Sequence, residues 1–440
     1  MEVHTVCEAV NLIKDGRLSS ENWVKTCLDK IKQTDHQIGA WVHLDGEKAL
    51  VQAKEMDEIR RRGKPVGLLH GVPVGIKDIV DTKDFLTEYG SKIHTGRQPH
   101  DNAFLINKLK EQGAIILGKT VSTEFAFMHP ANTRNPYNLE FSPGGSSSGS
   151  AAAVAAGHVP LAIGSQTNGS TIRPASYCGI YGYKPTRGLI SRTGVLQTSQ
   201  TLDQMGLFSQ HAEDIALLHD AVCGYDIRDP MSSLLPKPKA LDGYNQDALI
   251  EPVFAWLELP YANQYQQSIS QGSEEILAVL GKQVERIPAP QSFVGLIESH
   301  RRIYGYELYR NLEMQRQDHA DELSDTIKHS LKKASRISDA EYADALEIRT
   351  VAQDWFERFF YDYDAILTPS ALSEAPRFED GTGDPICCTI WTLCGLPCIS
   401  MPLLVGENQL PIGIQLVSGA NEDQRMFRTL KWLLSRLNDE

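Results

Sequence analysis

Residues Gly144 to Pro185 read GGSSSGSAAAVAAGHVPLAIGSQTNGSTIRPASYCGIYGYKP, and no other stretch limits the fold so narrowly. Two loops in it are too rich in Gly and Ser to pack as regular core. Between them, Ala151 to Ala156 are small residues suited to a helix lying close against a sheet. Val159 to Ile163 is an apolar run of strand length. The order loop, helix, strand, loop returns the chain to its starting end, so Ser146 to Ser148 come beside Ser165 to Ser170. A site built from two converging serine loops is the expectation.

Composition narrows what such a site serves. The chain has 440 residues, 41% hydrophobic and 22% charged, which is a globular composition and not that of a disordered chain. That length admits two or three domains or one large α/β domain. A formal net charge of −13 argues against nucleic acid or an anionic membrane as main partner. The basic run Arg60-Arg61-Arg62 reads as a solvated helix end. Met1-Glu-Val-His lacks a basic segment followed by an apolar one, and no run of about 18 apolar residues occurs. A soluble, cytoplasmic protein is expected. The eight cysteines, at 7, 27, 178, 223, 387, 388, 394 and 398, read as buried free thiols. Cys387, Cys388, Cys394 and Cys398 cluster, but without a CxxC pair or nearby His they predict no metal.

Along the chain, helices are expected over Val3–Leu12, Ser20–Ile31 and about Gly46–Arg62, forming an outer helical layer over residues 1–63. Leu68 to Ile76 is apolar and punctuated by Gly and Pro, and Lys77 ends it. A helix from Asp101 to Gln112 precedes a short buried strand, Ala114 to Leu117. Residues 64–224 hold the serine loops. Gly188 to Gly206 reads as loop and Ala212 to Val222 as helix. In 225–440, Asp226 to Asn245 is the best linker candidate. Strand patterns follow at Val253–Leu257, Val284–Ile287, Ala365–Ser370, Cys398–Leu403 and Ile412–Val417. Helices are expected near 267–280, 293–316, 339–360 and 422–437. This alternation fits one α/β layered fold without internal repeats.

Two motif matches fail on context. Gly113-Ala-Ile-Ile-Leu-Gly118-Lys119-Thr120 satisfies the phosphate-loop expression, yet Ala-Ile-Ile-Leu prefers an extended, sheet-paired state to an inward-turned glycine bend. Gly145-Ser-Ser147-Ser-Gly149 fits the G-x-S-x-G elbow, which requires an apolar strand directly before it. Residues 134–143 read as loop instead. Asn168-Gly-Ser170 is a glycosylation triplet in a chain read as unexported.

A serine hydroxyl is a weak nucleophile at neutral pH and needs an adjacent base. Of thirteen histidines, only His158 has a Gly/Ser context, and it begins a strand and reads as structural. A neutral lysine serves equally when burial lowers its pKa from about 10.4. Lys77 ends an apolar run, and taken alone it reads as an exposed strand end beside Asp78 and Asp81, with the serine loops as the reason to consider it as the base.

The stretch resembles the amidase signature family of serine amidohydrolases. That family has a GGSSGG-type loop and a G-[ST]-x-T-x-G-S loop followed by a Pro-Ala pair, and the match continues through Cys178, Gly179, Gly182 and Lys184-Pro185. Gly71-Val-Pro-Val-Gly-Ile-Lys77-Asp78 fits a second segment. Ser146 and Ser170 are 24 positions apart, as that pattern requires. The resemblance implies Ser170 as nucleophile, Ser146 as bridging serine and Lys77 as base. It implies an oxyanion hole at Thr167, Asn168, Gly169 and Ser170, a loop able to aim consecutive N–H groups inward, and a cis peptide before Ser146. It implies one domain over residues 1–440, a mixed twisted sheet of roughly ten or more strands covered by helices on both faces. Variable segments at 87–91, 125–129, 304–309 and 390–393 would line the pocket, giving Arg173, Tyr89, Ser147, Phe127 and Trp391 as substrate contacts. Arg173 stands one place later than the family pattern, Asn168 replaces a small residue and Gln166 an Asp.

The expected activity is hydrolysis of a small carboxamide or urea-type substrate through a Ser170 acyl-enzyme, without cofactor or metal, in a chain able to form a homodimer. An alternative is a component of a glutaminyl-tRNA amidotransferase that releases ammonia for a partner chain, for which 440 residues look short. A non-catalytic binding protein on the same fold is a further alternative, opposed by the joint presence of Lys77, Ser146 and Ser170.

Overall fold

Neighbouring residues of the central strands bury on opposite faces. Leu161 and Ile163 join one core and Ala162 another; Phe254 and Trp256 likewise oppose Ala255 and Leu257. Strands apolar at consecutive positions are those of a sheet covered on both sides. The computed structural model describes residues 5–438, so the expected helix start at Val3 lies outside the described residues.

The strands are β1 (Trp41–Leu44), β2 (Pro73–Lys77), β3 (Ile115–Thr120), β4 (Leu161–Gln166), β5 (Tyr181–Lys184) and β6 (Gln204–Ser209). After them come β7 (Phe254–Glu258), β8 (Val284–Pro288), β9 (Ala365–Pro369), β10 (Cys398–Val405) and β11 (Pro411–Val417). They form one sheet in the order β1-β3-β2-β4-β6-β5-β10-β11-β9-β7-β8. It is mixed: β3, β2 and β4 run parallel, β4 through β9 pair antiparallel, and β9, β7 and β8 are parallel again. Helices 104–111, 212–222, 267–280 and 423–438 pack on one face. Helices 20–38, 46–61, 148–155, 293–311, 339–359 and 386–394 pack on the other. No helix among the described residues is long and apolar enough to cross a membrane.

The helix Ser148–Ala155 shows why its sequence is so small. A β-carbon at Gly149 would stand 2.3 Å from the Val121 nitrogen and 2.4 Å from the Ala40 carbonyl oxygen, while Ala151, Ala152 and Ala153 are fully buried. Only glycine admits so close a backbone approach. The stretch expected to be loop, Gly188 to Gly206, ends instead inside β6, between β4 and β5. Gly206 hides that strand from a propensity reading, yet it is needed there, because a β-carbon would stand 2.0 Å from Thr171 Oγ1. The helix expected over 293–316 divides into Phe293–Asn311 and Glu313–Asp318. Ile115–Thr120, within the rejected phosphate-loop match, is a fully buried strand.

Candidate active site

Lys77 is the last residue of β2. Ile76 faces the core of the first layer, so Lys77 turns to the opposite face, beneath the helix Ser148–Ala155. Its side chain is fully buried, with Nζ 2.7 Å from Ser146 Oγ and 2.8 Å from Ser165 Oγ. Burial drives its pKa well below that of an ordinary lysine, against the opposing charge of Asp203. Burial thus favours the neutral amine over the ammonium.

The first serine loop is held at every hydroxyl. The Gly145–Ser146 peptide is cis. Ser147 Oγ donates to the Ser165 carbonyl and accepts from the Ser165 N–H, both at 3.2 Å. Ser150 Oγ donates to the Ile163 carbonyl at 2.9 Å and lies 2.7 Å from Thr120 Oγ1. These bonds lock the loop to β4 and β3.

The second loop follows β4. Gln166 Oε1 accepts from the N–H groups of Thr171 and Ile172 at 2.9 and 3.0 Å, and its Nε2 donates to Thr392 Oγ1 at 3.0 Å. Thr167 Oγ1 donates to Asp203 at 2.6 Å, and Thr389 Oγ1 to the Asn168 side-chain oxygen at 2.8 Å. Among the described residues, the N–H groups of Asn168, Gly169 and Ser170 and the Ser170 hydroxyl have no partner. Three consecutive donors and one hydroxyl thus stand unused in this loop, available to a ligand.

Arg173 ties the loops together. Its Nη2 donates to the Gly145 carbonyl at 2.7 Å, and its Nη1 to the Gly383 carbonyl. The guanidinium is 1% exposed, no carboxylate pairs with it among the described residues, and Nε has no partner. Burial lowers its pKa. Asp384, on the same cavity wall, opposes this shift but makes no ion pair with the guanidinium.

A cavity of about 290 Å³ opens at Ser170. Phe127 and Arg173 line it, as expected, with Asn168, Tyr304 and Arg301. The Phe127 and Tyr304 rings lie 5.7 Å apart between centroids. The other three expected contacts lie away from it. Tyr89 is buried under the Arg97 guanidinium, 4.5 Å from its ring. Trp391 is fully buried, 5.6 Å from Phe356. Ser147 is spent on Ser165. For these three, packing and backbone hydrogen bonding account for the side chain. His158 is buried between Thr34 and Trp41, and burial pushes its pKa down to about 4.

Sequence reasoning missed Ser165 as the second neighbour of Lys77, Asp203 beneath Thr167, and Arg301, Asp384 and Thr389 on the cavity wall. Ser165 was legible, since it begins the second loop. The others are lone polar residues on unremarked helices and turns.

Comparison with known proteins places the chain in a family. The Amidase family model matches residues 22–427. A glutamyl-tRNA(Gln) amidotransferase subunit of Natranaerobius thermophilus is 34% identical, over 97% of this chain and 95% of its own length. Its namesake from Bacillus licheniformis is 33% identical over 97% and 95%. Coverage of 95% removes the argument that this chain is too short for that group. Among solved structures, one described as a vestigial protein complex bearing on the origins of an s-triazine catabolic enzyme has a TM-score of 0.92 at 27% identity, covering 98% of both chains. The peptide amidase of Stenotrophomonas maltophilia has a TM-score of 0.86 at 26% identity, covering 99% of this chain and 97% of its own. With a family model spanning nearly the whole chain and relatives above 30% identity along its length, the protein belongs to the amidase family.

Proposed function

We propose that this amidase-family enzyme cleaves a primary amide bearing a carboxylate, through an acyl-enzyme on Ser170 and with release of ammonia. The observation that carries the reading is the fully buried Lys77 amine at 2.7 Å from Ser146, its pKa lowered by burial, beside a loop whose Ser170 hydroxyl and three N–H groups are unpaired. Lys77 takes the Ser146 proton while Ser146 takes that of Ser170, and Ser170 Oγ attacks the carbonyl carbon. The loop N–H groups receive the charge that develops on the carbonyl oxygen. As the intermediate collapses, the C–N bond breaks and the proton returns through Ser146 to the nitrogen, which leaves as ammonia. Water then attacks the ester along the same path, giving up its proton to Lys77, and the acid is released.

The substrate class rests on Arg173. A buried guanidinium without a carboxylate partner, bordering the cavity, favours a ligand that brings a negative charge. Among carboxylated amides glutamine ranks first, because relatives of 31 to 34% identity are named as components of glutamyl-tRNA(Gln) amidotransferase. In that reading the chain is one member of an assembly and its ammonia passes to a partner chain. This reverses the order that the sequence alone suggested, in which a small amide or urea came first.

Ammonia release from glutamine, dicarboxylic half-amides, carboxylated ureas and neutral amides of equal size, by the isolated chain and by chain purified with its natural partners, tests the reading. Glutamine turnover raised by a partner is the expected result. Faster turnover of half-amides or ureas by the chain alone would restore the small-substrate reading. Neutral amides cleaved as well as acidic ones would remove the carboxylate. Arg173→Lys should raise KM for acidic substrates about tenfold more than for neutral ones, since lysine lacks the planar fork. Equal losses on both would make Arg173 only a brace for Gly145 and Gly383.

A further inference from the structure

The two peptide groups leading into Ser170 are each held from behind by a side chain of a distant helix. His300, on the helix Phe293–Asn311, places Nε2 2.9 Å from the Thr167 carbonyl oxygen. Thr392, on the helix Ile386–Cys394, donates from Oγ1 to the Asn168 carbonyl oxygen at 2.6 Å. Both side chains are buried. In a trans peptide the C=O and the N–H of the next residue point in opposite directions. Fixing the Thr167 carbonyl towards His300 therefore aims the Asn168 N–H the other way. Fixing the Asn168 carbonyl towards Thr392 does the same for the Gly169 N–H.

We propose that His300 and Thr392 are positioning residues of the oxyanion hole, which aim the Asn168 and Gly169 N–H groups at the reacting carbonyl by anchoring the carbonyls of the same two peptides. The inference rests on Ser170 being the nucleophile. The carbonyl oxygen of Thr167 only accepts, so His300 carries its proton on Nε2. Nδ1 is buried and has no partner among the described residues. The ring is thus used for a single bond, to this loop. Thr392 is similarly committed: its hydroxyl accepts from Gln166 Nε2 at 3.0 Å and donates to the Asn168 carbonyl oxygen. Gln166 in turn holds the N–H groups of Thr171 and Ile172. The Thr167 hydroxyl is fixed by Asp203 at the same time. The loop is thereby clamped on its outer side by three elements, and its inner side keeps only free donors.

The arrangement has a reason in energetics. Donors that wait in place need no reorganisation when charge develops, and the loss of one such donor slows catalysis by about 10² to 10³. A Gly-containing loop does not hold such an orientation unaided.

The test uses a fluorophosphonate probe, whose phosphoryl oxygen occupies the oxyanion position and whose phosphorus bonds to the nucleophilic serine with loss of fluoride. Second-order labelling rates and ammonia release are measured on the full chain for His300→Ala, His300→Gln, Thr392→Val and Thr392→Ser. Labelling and kcat should fall about tenfold to a hundredfold in His300→Ala and Thr392→Val, with KM changed less than threefold. Thr392→Ser should recover most of the loss, and His300→Gln, which keeps an N–H donor, part of it. Rates within twofold of the parent in His300→Ala and Thr392→Val would overturn the proposal. So would a loss unrelieved by Thr392→Ser, or one found in KM alone. Should a variant fail to fold, the conservative member of its pair decides: Thr392→Ser should label near the parent rate and His300→Gln within about tenfold of it, and larger losses would overturn the proposal. Persistence of labelling in Ser170→Ala would instead refute the nucleophile and leave the anchoring geometry without a reaction to serve.

Discussion

The two serine loops are similar in composition and opposite in how their polar groups are used. In the first, Ser146, Ser147 and Ser150 all have partners, and the backbone is pinned to β3 and β4. In the second, side chains and carbonyls are engaged on the outer side while the N–H groups of residues 168–170 and the Ser170 hydroxyl stay open. A saturated loop is a fixed support, whereas an open one holds groups reserved for a ligand. Ser170, the proposed nucleophile, is therefore distinguished from the serines of the first loop by its lack of partners.

The largest effect that would break this comparison is at Ser170. Ser170→Ala should lower turnover by roughly 10⁴-fold or more while leaving the folded state intact, and mass mapping of a covalent probe should place the label on that residue. Label on Ser147 would make the saturated loop the reactive one. Label on a cysteine would place the reaction outside both loops, although burial raises the thiol pKa of Cys178 and Cys388 and disfavours their thiolates.

Ser146 and Ser147 sharpen the contrast, because they are adjacent and both buried. Ser146→Ala removes the relay and should cost roughly 10² to 10⁴ in kcat. Ser147→Ala removes the ties to Ser165 and should lower stability by about 1–3 kcal/mol with kcat nearly unchanged, as read from thermal melts and steady-state kinetics. Similar kinetic losses in both variants would mean that support and chemistry are not separable in this loop.

The smallest expected effect is on the pH dependence of stability set by Lys77. Unfolded, this lysine titrates near 10.4; folded, its pKa is well lower. Between the two values the unfolded chain binds one more proton, so stability rises with pH by about 1.4 kcal/mol per unit and levels off at the unfolded value. Lys77→Met removes that dependence along with activity. Its melting temperature should exceed the parent's near pH 7, and the gap should close towards pH 10. A constant gap would mean that Lys77 is charged when folded. Activity of the parent should fall on the acid side as Lys77 gains its proton.

How far these features were legible depended on whether their cause was local. The helices Ala212–Val222 and Gln267–Leu280 follow from their own periodicity and have the expected bounds. The serine loops were legible because Gly and Ser in that density do not read as a regular apolar element. β6 was hidden because Gly206 answers to Thr171, a neighbour distant in sequence. The cavity wall was hidden for the same reason. Arg301, Thr389 and Thr392 are ordinary helical residues until the sheet order brings their helices over the second loop. Tyr89 and Trp391 erred in the other direction: aromatic side chains suggest a pocket, but both are absorbed by the core.

The tight seat of Gly149 has a consequence for anyone wishing to redirect the enzyme. With Val121 and Ala40 within 2.4 Å of where a side chain would begin, the helix after the first loop admits no enlargement without displacing β3 or the segment before β1. A mutational library spread over residues 144–156 would yield mostly misfolded clones. One confined to positions 297, 301, 304, 386 and 389 would alter the cavity wall while leaving Lys77, Ser146, Ser170, His300 and Thr392 unchanged. New substrates are thus to be sought from the covering helices, with the catalytic loops inherited unchanged.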